Sequence, residues 1–507
     1  MTKEFFKAKT VLDPIEFWGN WGIPQNDKLP EELPGMFQFQ TNSHGKLVVC
    51  GNFKDIPLRM MDTYPVFWGT IFYSNKKVSI FDAFVSNIVL LPVQKNQPIT
   101  LSFSEYWEGD VFFKNRDDVK FKEVSFGINN LEVWHNSNPY ETSWPKRGTN
   151  IKTNYRRPSG LDLFEDENVT IKLGYNVEGP GMGYGQTVFS IKQSARIVIT
   201  SKRGRLLPYY GKTHSFQYYI NLIFCFFSLL IGKNTFIYDI RGTVKKTRRQ
   251  KGKVIWGIHA TRYWRRGIAN AHLKELNFLD VSLPYYLIKT QLKKVIYQYN
   301  LYHSKIFRFV YELIEYQNRQ HPIDHHLLPQ LVFLFEGIIR DLYPKEVEAY
   351  HKEIILTDEY EEMKNSILAI CNKQQQGWLK RQLPSYPKFR EYYDVALREI
   401  GDLFPYMLEE YKKGRTLADD MFIYIQAERA KTAHATNGVD ADSQLYINTI
   451  YWLHTFLVVA IWKGCGVDMS FLTEKGWPHH VHDDHMKEIF RALLPTMSNE
   501  IKKYNKR

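Results

Sequence analysis

The sequence predicts a multidomain α+β protein in which an antiparallel β-rich region, a sandwich or a barrel, precedes an all-α helical bundle. Three observations lead to this fold class. The chain has 507 residues, which is too long for a single hydrophobic core. Short alternating segments separated by turns fill roughly the first 200 residues. From about residue 265 onward, apolar residues recur at helical spacing instead.

Turn signals divide the N-terminal region into hairpins. GMFQFQTNSHGKLVVCGNF holds two alternating stretches around NSHG, and VFWGTIFYSNKKVSIFDAFV repeats this pattern around SNKK. Further strand-like segments are ITLSFSEYWEG, VSFGINNLEVW, VTIKLGYNV and TVFSIKQSARIVIT. Strands this short and this regularly spaced are typical of a sandwich or barrel. We therefore expect a β-rich domain over residues 1–215.

Residues 216–320 form a mixed segment. Its apolar run INLIFCFFSLLI falls short of the ~20 residues that span a bilayer, so we expect a buried helix at 220–231 and no membrane association. Two strand-like runs follow, NTFIYDIRG and KVIWGIHATRYW, with TVKKTRRQKGK between them. A basic hairpin tip here could touch a phosphate backbone, and a solvated loop is the alternative.

Residues 321–507 have the pattern of a helical bundle. An apolar helix over HLLPQLVFLFEGIIRDLY ends before Pro344. Apolar periodicity and capping residues predict further helices at roughly 359–380, 388–413, 417–435, 441–463 and 483–503.

Charge and cysteine content narrow the class of protein. The formal net charge is +13, which favours a polyanionic partner such as nucleic acid, although a basic surface can also serve solubility alone. The spacing of the four cysteines fits neither a zinc site nor a disulfide framework. The N-terminus lacks the apolar core of a signal peptide. These features predict a cytoplasmic protein.

The segment ERAKTAH places Arg429 and His434 on either side of four residues. On a regular helix the two side chains would lie about 140° apart, but both could line one groove if the helix ends or bends before the NG turn. Looser spacing also admits Arg265 or Arg266 with His272, and Arg319 with His325 or His326. We prefer Arg429 and His434 because they lie in a polar break between two apolar helices.

This pair of residue types suits RNA cleavage. The 2′-hydroxyl of RNA is an internal nucleophile that needs no metal ion to position it. Histidine transfers protons near neutral pH, and arginine offers a permanently charged fork of donors to the phosphate. Two copies in a dimer could divide the acid and base roles.

The order of motifs resembles that of ApeA-type anti-phage proteins with a C-terminal HEPN domain. The matching C-terminal pieces are FLFEGIIRDLY with Glu336, then the R-x4-6-H motif, then TFLVVAIWKGCG. The matching N-terminal pieces are FWGNWGIP, LPGMFQFQ with LVVCGNF, FWGTIFYSNKKVSIFDAF and VSFGINNLEVW. The likeness runs from about residue 15 to residue 466.

The resemblance implies a metal-independent endoribonuclease without cofactors that acts in abortive anti-phage infection, with the N-terminal domain sensing or restraining it. It implies catalytic roles for Arg429 and His434 and a positioning role for Glu336. The implied partners are an RNA substrate (a tRNA or another structured RNA), a phage-derived trigger and a second copy of the chain in a homodimer or larger oligomer. Ala430 departs from the pattern, which usually has a polar residue there.

Further residues are candidates for binding RNA through charge and stacking. They lie in the basic hairpin and in TRYWRRG, and packing of strand residues beside surface arginines is the alternative: Lys245, Lys246, Arg248, Arg249, Arg262, Arg265 and Arg266.

The segment PHHVHDDH at 478–485 holds metal-ligating residue types, but a helix cap from Asp483 or Asp484 explains it as well. We assign it no metal.

The alternative function for the whole chain is a noncatalytic RNA-binding or dimerisation module coupled to a β-rich ligand-binding domain. RNA would then bind in a salt-dependent manner and stay uncut.

Overall fold

The fold is described from a computed structural model. The described residues are 14–26, 31–40, 43–51, 61–88, 98–136, 140–143, 152–155, 158–178, 192–233, 235–245, 249–250, 253–254, 258–264, 276, 281–318, 326–354, 357–382, 387–408, 410–412, 414–433 and 444–470. The chain divides into two compact units: Met1–Phe224 with Asn234–Leu276, and Cys225–Lys233 with Asn277–Arg507.

The first unit contains a closed antiparallel barrel of six strands. They are β1 (Ile15–Gly22), β2 (Leu33–Phe39), β3 (Gly45–Cys50), β4 (Thr63–Ile71), β5 (Lys77–Ile88) and β6 (Pro98–Phe103). Neighbours in the barrel follow the order β5, β4, β1, β2, β3, β6, and β6 pairs back onto β5. Because β6 pairs with β5, the barrel is closed and has no free strand edge at this point.

The barrel continues into an open sheet because β5 changes partner along its length. Lys77 to Phe81 pair with β7 (Glu105–Gly109), whereas Phe84 to Ile88 pair with β6. Asp82 lies between the two halves with φ 50°, a left-handed conformation that aspartate tolerates better than most residues. One strand thus belongs to both the barrel and the sheet.

Beyond β7, the sheet order is β19, β16, β9, β14, β13, β12. Their bounds are β9 (Glu123–Ile128), β12 (Leu161–Glu165), β13 (Val169–Glu178), β14 (Lys192–Ser201), β16 (Ile237–Lys245) and β19 (Ile258–Trp264). Short pairs complete the unit: β8 (Lys120–Phe121) with β15 (Leu207–Pro208), β10 (Tyr140–Ser143) with β11 (Lys152–Tyr155), and β17 (Arg249–Gln250) with β18 (Lys253–Val254). The helices are α1 (Leu131–His135) and α2 (Phe216–Ile231), which spans the boundary between units.

Aromatic residues fill the barrel interior. Trp21 and Phe37 are fully buried, and their rings stack 5.4 Å apart. The Trp21 indole donates a hydrogen bond to the carbonyl of Gly35 (3.2 Å). Its ring also lies against Gly69, where an added Cβ would come within 2.2 Å of the indole. Glycine at position 69 therefore makes room for the largest side chain in the barrel.

The second unit is mainly helical. Its helices are α3 (Tyr285–Ile288), α4 (Leu292–Asn318), α5 (Leu327–Leu342), α6 (Pro344–Ile354), α7 (Asp358–Ile370), α8 (Lys373–Gln382), α9 (Phe389–Ile400), α10 (Pro405–Leu408), α11 (Leu417–Ala433) and α12 (Gln444–Gly464). Helix α5 packs against α4, α6, α9, α11 and α12. The Phe335 ring lies 5.6 Å from Phe389 of α9 and 6.0 Å from Phe456 of α12. Helix α5 is thus the central element of the described bundle.

The predicted fold class is confirmed, as are the hairpins around NSHG and SNKK and the buried helix at 220–231. The single helix expected over 388–413 is wrong. Helix α9 ends at Ile400, a 3-10 turn follows at Gly401–Leu403, and a small ribbon of β20 (Glu410–Lys412) and β21 (Arg415–Thr416) interrupts the bundle. Pro344 not only follows the end of α5 but begins α6, since proline fits the first helical position.

The middle segment differs from the expectation of a separate region at 216–320. Strands β16 and β19 pair with β9 and β7 of the large sheet, so the β-rich unit continues to Leu276 rather than ending at residue 215. The sequence did not reveal this pairing because helix α2 lies between these strands and their partner strands in the chain.

One helix among the described residues, Leu445–Gly464, is long and apolar enough to cross a membrane. However, 78% of that segment is buried within the protein. Such burial is typical of an apolar helix in the core of a helical bundle.

Candidate functional site

The candidate site lies on the partly exposed stripe of α5. Most of this helix is buried, but Gln330, Phe333 and Arg340 are exposed, and Glu336 is half-buried between them. Spacings of three and four residues place these side chains along one face of a helix. Glu336 follows the buried Phe335, so the backbone that carries the carboxylate is fixed by the core.

Arg429 lies near the C-terminal end of α11, whose start is fixed by a capping box. Thr416 Oγ1 accepts a hydrogen bond from the backbone N–H of Asp419 (3.2 Å), and Asp419 Oδ2 accepts one from the N–H of Thr416 (3.1 Å). Burial opposes ionisation of Asp419, but the hydrogen bonds from Thr416 outweigh it and lower the pKa of this carboxyl. The cap keeps an acidic group in the first turn, where the helix dipole favours it.

The structure brings Glu336 and Arg429 together across 93 residues of sequence. Arg429 Nη1 donates to Glu336 Oε1 at 3.3 Å, and the two side chains are 41% and 28% exposed. An ion pair this open contributes about 0–1 kcal/mol to stability. Its effect is therefore mainly geometric, because the contact holds one nitrogen of the guanidinium while 41% of the side chain remains exposed.

A protonated hydroxyl lies close to the same stripe. Burial raises the pKa of Tyr392 on α9, Arg340 lowers it, and Glu336 raises it further. Tyr392 is therefore a neutral hydrogen-bond donor near Glu336 and Arg340 at physiological pH. Sequence reasoning missed Tyr392, Arg340 and Phe333, although Phe333 and Arg340 flank Glu336 at helical spacing.

His434 lies outside the described residues, directly after Ala433, which ends α11. Ala430 is half-buried and brings no hydrogen-bonding side chain to the neighbourhood of Arg429. Helix α11 therefore supplies the arginine and α5 its carboxylate partner from described residues, while the histidine is known from the sequence alone.

The position of Arg262 argues against the expected role in RNA binding. Its side chain is 14% exposed and forms an ion pair with Glu105, which is 6% exposed. Arg262 Nε donates to Glu105 Oε2 (3.0 Å), and Nη1 donates to the hydroxyl of Tyr209 (3.0 Å). The guanidinium also lies 5.0 Å from the Trp264 ring centroid. Its donors are thus engaged within the sheet.

The other RNA-binding candidates belong to the segments around β17 and β18. Arg249 pairs with Val254 and Gln250 with Lys253 in the backbone, so a hairpin is present where one was predicted. The side chains of Lys245 and Arg249, and the whole of Lys246, Arg248, Arg265 and Arg266, lie outside the description. Their role in RNA binding stays a prediction.

Acidic and histidine residues elsewhere form no metal-like group within the described ranges. The 479–485 cluster lies outside them. Two histidines of the helical unit have a different property. Burial lowers the pKa of His303 on α4 to about 4. Burial and the charge of Lys233 lower the pKa of the partly buried His454 on α12 to about 4. Both are neutral at physiological pH.

Comparison with known proteins gives one family. Residues 16–298 match the family model described as ApeA N-terminal domain 1, which covers more than half of the 507-residue chain. No curated protein and no solved structure matches the chain. The matched range begins in β1 and ends within α4, before the helix that carries Glu336.

Proposed function

Since the chain belongs to the ApeA N-terminal domain 1 family, which indicates an ApeA-like role in anti-phage defence, we propose that its helical unit is a HEPN-type endoribonuclease. The observation that carries the proposal is the contact between Glu336 and Arg429 (3.3 Å). The resemblance implies functional roles for both residues, and they meet where the Arg429 side chain is 41% exposed.

The proposed reaction uses the nucleophile within RNA. His434 removes the proton of the 2′-hydroxyl, whose oxygen attacks the adjacent phosphorus. The bond to the 5′-oxygen breaks, and a proton delivered to that oxygen completes its departure. The products are a 2′,3′-cyclic phosphate and a 5′-hydroxyl, so no co-reactant is needed.

Arg429 stabilises the additional negative charge that develops on the phosphorane oxygens. A guanidinium is suited to this because it remains charged and presents paired donors to phosphate. Glu336 holds one edge of that group in place, which reduces the reorganisation needed at the moment of reaction. Its role is to position Arg429 rather than to transfer protons.

The β-rich unit is proposed to restrain the nuclease until a phage-derived trigger is present. Two copies of the chain supply two copies of His434, which permits one to act as base and the other as acid. The proposed substrate is a tRNA or another structured RNA with an accessible single-stranded loop.

Substitution of the arginine and its carboxylate partner tests the proposal. Cells that express the wild-type protein are infected with phage, and RNA 5′-hydroxyl ends are mapped by sequencing. We expect Arg429→Lys to remove most cleavage because lysine lacks the fork, and Glu336→Gln to reduce it about 10- to 100-fold while keeping the fold. Arg398→Lys is the matched control, since Arg398 is 55% exposed and pairs with Glu353 on another helix at 3.6 Å. Equal cleavage by Arg429→Lys and wild type would refute the proposal.

A second function is favoured by one observation, the alanine beside Arg429. Without a polar group there, the bundle could bind RNA without cutting it. This alternative predicts binding whose affinity falls steeply with salt, together with intact RNA in every activating condition.

A further inference from the structure

Phe333 is an aromatic side chain that the fold leaves in solvent beside the candidate site. It is 54% exposed, although its neighbours Val332 and Leu334 are buried. It precedes Glu336 by three residues, so the two side chains are neighbours on one helix face. Exposure of a phenylalanine ring to water is unfavourable. Its position next to an arginine–glutamate pair suits the binding of a ligand with an aromatic face.

Phe309 of α4 connects Phe333 with Arg340. Its ring lies 5.8 Å from the Phe333 ring at 60° and 6.0 Å from the Arg340 guanidinium carbon. Gly337 allows this packing, because an added Cβ there would lie 2.5 Å from the Phe309 ring. Phe333 and Arg340 are therefore held at two ends of a platform about 10 Å long, two helical turns apart.

The two arginines at this stripe are more exposed than the carboxylates with which they pair. Arg340 is 54% exposed, whereas Asp341, which accepts its hydrogen bond at 3.1 Å, is 19% exposed. Arg429 is likewise more exposed than Glu336 (41% against 28%). An approaching anion therefore meets more guanidinium surface than carboxylate surface.

We propose that the stripe formed by Phe333, Glu336 and Arg340 binds single-stranded RNA on either side of the cleaved phosphate. Phe333 stacks on an unpaired base, and Arg340 binds a neighbouring phosphate. Stacking on an exposed ring with adjacent arginines is how proteins bind single strands without reading their sequence. The inference rests on the proposed ribonuclease function and adds the residues that bind the unpaired base and its neighbouring phosphate. A base inside a duplex cannot reach the ring.

The test compares Phe333→Ala, Phe333→Trp and Arg340→Ala with wild type on a single-stranded oligonucleotide and on its duplex. Tyr297→Ala is the control, because Tyr297 is 52% exposed on α4 but about 18 Å along that helix from Phe309. Binding is measured by fluorescence anisotropy with a 2′-deoxy oligonucleotide that cannot be cut, and KM and kcat with the RNA form.

We expect Phe333→Ala to raise Kd and KM for the single strand roughly tenfold, with kcat at saturating RNA within about twofold of wild type. Phe333→Trp should restore binding, and Tyr297→Ala should match wild type. Arg340→Ala should weaken binding and reduce the salt dependence by about one phosphate contact.

The outcomes separate this inference from the proposed function. If wild type cleaves RNA and Phe333→Ala has the same Kd and KM, the inference is overturned and the ribonuclease stands. If Phe333→Ala alters the oligomeric state and RNA binding follows that change, the stripe is an interface between copies and the inference is also overturned. If Arg429→Lys is fully active, the proposed function itself fails.

Discussion

Replacement of Arg262 by leucine distinguishes a structural arginine from an RNA-binding one. The substitution removes the cation that neutralises Glu105, whose side chain is 6% exposed. Glu105 would retain Arg116 (2.8 Å) and Tyr210 (3.1 Å), but Arg116 is 47% exposed. Breaking a buried ion pair from one side destabilises by about 3–5 kcal/mol. For a unit of this size, that corresponds to a fall in Tm of roughly 6–20 °C.

The loss of stability caused by Arg262→Leu should depend on pH. Burial raises the pKa of Glu105, but Arg262 and Arg116 outweigh burial and lower it, so the pair stabilises the fold above the unfolded pKa and loses this effect as pH falls. Without Arg262 the folded carboxyl takes up a proton more readily. The difference in stability between variant and wild type should therefore shrink as the pH falls towards and below about 4.5, the ordinary pKa of a glutamate side chain.

Urea unfolding followed by near-ultraviolet circular dichroism of the aromatic residues provides the assay. The double variant with Glu105→Leu and Arg262→Leu removes both charges and should recover part of the lost stability. The reasoning is refuted if Arg262→Leu unfolds at the wild-type urea concentration and instead binds RNA more weakly.

Three further predictions concern other parts of the fold. Gly69→Val should destabilise the barrel by roughly 3 kcal/mol or more, measured by urea unfolding, because its Cβ would meet the fully buried Trp21 at 2.2 Å; an unchanged midpoint would contradict the packing described. Thr416→Ala should lower stability by about 1 kcal/mol through loss of the α11 cap, and Thr416→Ser should retain it. His303 and His454 have folded pKa values of about 4, so the unfolded state binds more protons than the folded state between pH 6.5 and pH 4. Each histidine should therefore lower the stability of the helical unit by up to roughly 3 kcal/mol over this range. In thermal unfolding, the stability of the two glutamine variants should fall less steeply with pH than that of wild type.

Local patterns predicted much of the secondary structure. The hairpins around NSHG and SNKK and the helix over Phe216–Ile231 follow from alternation, turn residues and apolar runs. The closure of the barrel does not, because it depends on the bend at Asp82 that lets one strand pair with both β6 and β7. Alternation identifies strands, but it does not identify their partners.

The same limit applies to single side chains. Arg262 sits in a sequence rich in arginine and aromatic residues, which is equally typical of a nucleic-acid surface and of a buried pair. Its burial depends on Glu105, which is 157 residues away. Glu336 was selected through the resemblance, and Arg429 first through its spacing from His434. Their contact across 93 residues is a tertiary property that helical spacing alone could not supply.

The most direct test of the central proposal is the chemistry of RNA ends produced by the purified protein. Wild type and His434→Ala are incubated with total RNA in excess EDTA, with and without lysate from phage-infected cells, and the new termini are identified. The proposal predicts 2′,3′-cyclic phosphate and 5′-hydroxyl ends from wild type and at least 100-fold fewer from His434→Ala. Equal cleavage by both proteins, or intact RNA in every condition, would contradict it.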